Sequence, residues 1–124
     1  FAAFALVAVP VGLATGFVAW NPRVDAFGVL ARPLLIHLAI AVPEEFLFRG
    51  LIQRLLGDLL GARAALVVAS VVFGLAHLPD PRYVLLATAA GVAYGVVWMR
   101  TGRVAASATT HALVDAVWVL LLRR

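Results

Sequence analysis

The chain has 124 residues, 65% of them hydrophobic and 13% charged, with a mean hydropathy of +1.06; a soluble domain of this size needs more polar residues to cover its surface. Net charge is +4 and the pI about 11.1. All ten basic residues are Arg, scattered mostly at the ends of apolar runs, where they snorkel to headgroups rather than form the aromatic-interleaved patch of a nucleic-acid binder. With no Cys, disulfides, thiolate nucleophiles and Cys-ligated metals are excluded.

A helix that crosses ~30 Å of hydrocarbon needs about 20 mostly apolar residues. Phe1 to Trp20 meets that length without a charge, and Trp20-Asn21-Pro22-Arg23 reads as its interfacial end. Residue 1 is Phe and no charged segment precedes the run, which is not the pattern of a signal peptide. The expectation is a single membrane-embedded domain over 1–124, trimmed from a longer chain with helices upstream. Ala26 to Val42 is a second span, carrying Arg32 and His37. Pro43 then precedes Glu44-Glu45; a proline in the first turn and acids at the positive helix end suit a new start or a kink.

The run from Glu44 to Leu60 differs in kind, because Glu44, Glu45, Arg49, Gln53, Arg54 and Asp58 share it with Phe46, Leu47, Leu51, Leu55, Leu56 and Leu59. It reads as an amphipathic or partly immersed helix, polar toward other helices or an aqueous cavity. Ala62 to Leu78 is a clean span closed by Pro79-Asp80-Pro81. Tyr83 to Met99 is another, with Gly91 and Gly95 as a small-residue packing face. Val104 to Leu122 is the last, ending on Arg123-Arg124. The expected fold is an all-α polytopic bundle of about five spanning helices plus the helix at 44–60. Arg residues sit on both sets of loops, so the positive-inside rule gives no orientation.

Inside a bilayer an ionisable residue costs a few kcal/mol or more, so each needs a partner or a task. Three clusters stand out. Glu45 and Arg49 are four apart and share a helix face, suited to an ion pair, while Glu44 lies about 100° round the helix and is left free. His77 closes Phe73-Gly74-Leu75-Ala76-His77 just before the Pro79 breaker. His111 and Asp115 are again four apart on the last span, where an acid can orient an imidazole. Taken singly, these read as a helix N-terminus with a salt bridge, interhelical glue and a packing pair. Taken together, acids and imidazoles on three helices of a nearly apolar chain converge on one interior cavity, and that set suits activation of water and stabilisation of an oxyanion.

The order Glu-Glu-x-x-x-Arg, Phe-x-x-x-His, His-x-x-x-Asp resembles the CPBP family, the CAAX prenyl endopeptidases and Abi-type bacteriocin-processing or immunity proteins, over roughly residues 26–122. The resemblance implies an intramembrane, metal-independent glutamate endopeptidase that needs no cofactor and acts on a peptide or membrane-protein substrate, prenylated in some relatives. It also implies a multi-pass protein of the bacterial inner membrane. Glu44 matches the catalytic glutamate that activates water with His77; His111 and the residue at Asp115 match the oxyanion-stabilising pair; Glu45, Arg49 and Phe73 match supporting positions. The family more typically carries Asn where Asp115 stands. An ionised Asp cannot donate to an oxyanion, and the hypothesis is that Asp115 keeps His111 cationic so that the imidazolium donates.

Four alternatives stand beside this one. Glu44, His77 and His111 form the two-His-one-carboxylate set of some zinc enzymes, though no His-Glu-x-x-His helix is present. Ser107 is four residues before His111, but neither serine lies in a nucleophile-turn signature. A non-catalytic membrane immunity or scaffold protein would keep the same polar cluster for packing. A proton-relay transporter lacks support from any inverted repeat. His37 is two turns from Glu44, and Trp20, Trp98 and Trp118 read as interface anchors.

Overall fold

The structure, a computed structural model, describes residues 1–123; Arg124, expected to end the last span, lies outside the described residues. Five helices follow one another. Helix α1 (Ala2–Ala14) is succeeded by a short strand β1 (Ala19–Trp20). Helix α2 begins with Ala26–Ile36 and continues without a break to Leu60; α3 is Ala62–Leu75, α4 Pro81–Thr101 and α5 Val104–Leu121, followed by strand β2 (Leu122–Arg123). The two strands pair antiparallel, Ala19 with Arg123 and Trp20 with Leu122, and tie the segment after α1 to the end of α5.

The all-α membrane bundle expected from the sequence is observed. Three helices are long and apolar enough to cross a bilayer, Phe27–Leu60, Pro81–Thr101 and Val104–Leu121, while α1 and α3 are apolar but shorter. The run expected to span from Phe1 to Trp20 stops being helical after Ala14. Large apolar side chains point outward on every long helix, among them Leu30, Leu59 and Leu85 at 77%, 79% and 73% exposure, the arrangement that lipid as solvent favours.

One expectation is corrected. No new helix begins at Pro43; residues 27–60 form a single helix of 34 residues. A proline in a helix interior lacks its N–H and its ring meets the carbonyl four residues back. Here the helix widens to π-type turns over His37–Ala41, where the Val42 N–H reaches His37 O, five residues back. That wider turn relaxes the bonding pattern ahead of Pro43, and the chain passes through. A second π-helical stretch, Phe46–Gln53, follows; such segments are rare and concentrate at functional sites. At ~1.5 Å per residue the helix is about 50 Å long, so it must tilt in a bilayer or project from it.

The amphipathic character expected of 44–60 is observed in part: one polar stripe faces inward, while Arg54 and Asp58 are exposed. Glu45, Arg49 and Gln53 are 0%, 1% and 1% exposed, whereas Phe46 and Leu59 face outward. Helices α3 and α4 pack together through small residues, with Ala65, Ala69, Ser70 and Gly74 buried on one and Ala87, Ala90, Gly91 and Gly95 on the other. The approach is close enough that a Cβ on Gly91 would lie 3.1 Å from Ser70 Cα. Left-handed glycines turn the chain between helices, Gly61 at φ 82° and Gly102 at φ 65°, a conformation that costs other residues energy.

Candidate active site

The centre of the bundle is a carboxylate with no exposure to the outside. Glu45 Oε1 accepts a hydrogen bond from Arg49 Nη1 at 3.0 Å and lies 3.0 Å from His111 Nδ1. Its other oxygen, Oε2, accepts from Ser107 Oγ, which also lies 3.1 Å from the carbonyl of Tyr94. One acid thereby joins α2 to α5 and, through Ser107, to α4. Arg49 is tied to α4 as well, donating from Nη2 to Gly91 O at 2.7 Å, and Gln53 one turn further on donates to Gly95 O at 3.4 Å. The glycines leave those carbonyls uncovered, so the small-residue face serves polar contacts as well as packing. Among the described residues, Arg49 Nε and Gln53 Oε1 have no partner.

Phe73 forms the wall behind this cluster. Its ring lies 4.8 Å from the Arg49 guanidinium carbon and packs edge-on against Phe48, Tyr94 and His111. It also touches the His77 ring, with centroids 5.0 Å apart. On the other side of His111 the Tyr94 ring lies nearly parallel, at 16° and 4.6 Å. The imidazole is thus clamped between two aromatic residues while carboxylates face both its nitrogens. Nε2 lies 3.4 Å from Asp115 Oδ2 and 4.0 Å from Glu44 Oε2.

Beside the cluster opens a cavity of about 250 Å³. It is lined by Glu44, His77, His111 and Asp115 together with apolar residues that include Ile36, Ile40, Leu86 and Trp118. The two adjacent glutamates are therefore separated by environment, as their 100° offset suggests: Glu45 is sealed in, while the Glu44 side chain is 37% exposed. His77 Nδ1 lies 2.8 Å from Phe73 O. A carbonyl only accepts, so Nδ1 carries the proton and Nε2 is the basic nitrogen of the neutral ring.

The structure brings Glu44, His77, His111 and Asp115 to one cavity, with Phe73 also in its wall, while Glu45 and Arg49 are buried beside His111 and do not line it. His37 does not line it among the described residues, although its neighbours Ile36 and Ile40 do. Trp118, read as an interface anchor, instead lines the cavity. Two participants were not expected in these roles. Tyr94 carried no signal beyond its place between Gly91 and Gly95, and Ser107 was weighed only as a nucleophile four residues before His111, not as a partner of Glu45.

A model of the family described as type II CAAX prenyl endopeptidase Rce1-like matches residues 26–117. The chain belongs to this family. The match runs from the start of α2 into α5 and contains every candidate site residue. No curated protein and no solved structure is a significant match. Membership in this Rce1-like family, with the apolar helices, makes the chain an integral membrane protein of the CAAX-type protease class, whose substrates are peptides or proteins in the membrane.

Proposed function

We propose that the protein is an intramembrane endopeptidase in which Glu44 and His77 activate a water molecule. The observation that carries this reading is the shared cavity: the accessible Glu44 carboxylate and the His77 imidazole with its basic Nε2 both line it. The water oxygen attacks the peptide carbonyl carbon and its proton passes to Glu44. The carbonyl π electrons move to oxygen, giving an oxyanion. On collapse the C–N bond breaks, and the proton held by Glu44 goes to the leaving nitrogen.

In this reading His111 stabilises the oxyanion. Carboxylates face both its nitrogens, at 3.0 Å and 3.4 Å, and a carboxylate only accepts, so the ring can offer a proton to both only as the imidazolium. The longer contact, to Asp115, is on the nitrogen that also faces Glu44, and this N–H is the one that turns to the oxyanion. Glu45 and Arg49 hold His111 in place and do not touch substrate, while Phe73 packs edge-on to His111 and forms part of the cavity wall. No metal enters the reaction. The natural substrates are peptides carrying a CAAX-type, prenylated end, cleaved in a bacterial inner membrane.

The test is a double substitution assayed on a quenched fluorescent prenylated CAAX peptide. Residues that act as one unit are strongly non-additive. Glu44→Gln and His77→Asn should each abolish most cleavage, and the pair should cost no more than the worse single change. Independent, additive losses would overturn the shared-water mechanism.

A further inference from the structure

The oxyanion site as described has one donor, His111 Nε2, and its neighbour Asp115 can only accept. Preorganised sites of this kind are built from several donors aimed at one oxygen, so a second should stand on the same wall. We propose that the phenol of Tyr94 is that donor, a catalytic residue on α4. This rests on the hydrolytic reading above.

Tyr94 lines the cavity beside His111, Asp115 and Glu44. Its ring is stacked on the His111 imidazole at 4.6 Å, so a group held by one ring is next to the other. A tyrosine hydroxyl keeps its proton at neutral pH and can donate, which Asp115 cannot.

The residue is also held unusually firmly. It is 1% exposed, its backbone carbonyl faces Ser107 Oγ at 3.1 Å, and Phe73 packs edge-on to its ring. The carbonyls of Gly91 and Gly95, three residues before it and one after, are fixed by Arg49 and Gln53. A donor anchored in this way loses little freedom when the oxyanion forms, which is the condition for electrostatic stabilisation to count.

Tyr94→Phe deletes the hydroxyl and keeps the stacked ring. Assayed on the prenylated CAAX peptide, it should lower kcat about 100-fold, the scale of losing one oxyanion donor, with KM little changed and the unfolding transition that of the wild type. Should Phe disturb folding, 3-fluorotyrosine at position 94 keeps the size and alters donor strength, and kcat should change without KM. A kcat within about twofold of wild type for the variant that folds would overturn the proposal. Glu44→Gln run in parallel separates the two claims. If it is inactive and Tyr94→Phe is not, Tyr94 is no donor and the hydrolytic reading stands; if Glu44→Gln is active, that reading fails first.

Discussion

Glu45 Oε1 lies 3.0 Å from His111 Nδ1, a contact between residues 66 positions apart that fixes the imidazole from behind. The same oxygen receives Arg49, so a single atom links the charge balance of α2 to the orientation of α5. The cavity face of His111 is thereby left to Asp115, Glu44 and whatever enters the cavity.

Removing that link should be costly for stability as well as activity. Glu45→Ala leaves Arg49, 1% exposed, as a buried charge without its partner, and the loss from breaking such a pair is about 3–5 kcal/mol. Titration into denaturing detergent should show an earlier transition for Glu45→Ala. A stability equal to wild type would mean that the pair does not hold the bundle.

The α3–α4 contact predicts a difference between two glycines. A Cβ at Gly91 meets backbone, 3.1 Å from Ser70 Cα, whereas at Gly95 it meets the flexible end of Gln53, 2.7 Å from Oε1, and the side chain of Leu66. Gly91→Ala should therefore destabilise by about 1–3 kcal/mol, as overpacking does, and should lower activity by shifting the carbonyl that holds Arg49. Gly95→Ala should cost less, because side chains can turn away. Melting temperatures of the two variants in detergent decide it.

Asp115→Asn tests why an acid stands at this position. If the carboxylate keeps His111 cationic, the amide should reduce kcat about tenfold or more, a loss of ~1.4 kcal/mol in transition-state stabilisation. Improved activity on making Asn would show that the acid is a poor donor and nothing else.

Activity should survive dialysis against a strong zinc chelator. The rival set Glu44, His77 and His111 predicts loss on chelation and recovery with added zinc. Rates measured before and after dialysis, and again with zinc, distinguish the two.

Much of this arrangement was legible in the chain because lipid makes polar residues rare and expensive. Glu45 with Arg49, and His111 with Asp115, are pairs four apart on a helix, and that spacing alone puts each pair on one face. The split between Glu44 and Glu45 followed from the same geometry. What could not be read was anything set by how helices meet. The Pro43 break was a sound expectation from proline chemistry, but the wide turns at His37–Ala41 that carry the helix through it have no local signature in the sequence. Ser107 was visible as a neighbour of His111, yet its partner Glu45 is 62 residues away. Tyr94 reached the site because two glycines let α4 approach α3 and Arg49 closely. Trp118 looked like an anchor at a span end, and the packing of α5 turned it to the cavity.

The central claim is that the accessible glutamate does chemistry while the sealed one holds the structure. The most direct measurement compares Glu44→Gln with wild type on the same prenylated CAAX peptide, with the unfolding transition of each recorded alongside. Loss of a catalytic base predicts a fall in kcat of about 100-fold or more with an unfolding transition matching the wild type. Cleavage at the wild-type rate by a folded Glu44→Gln would contradict the account.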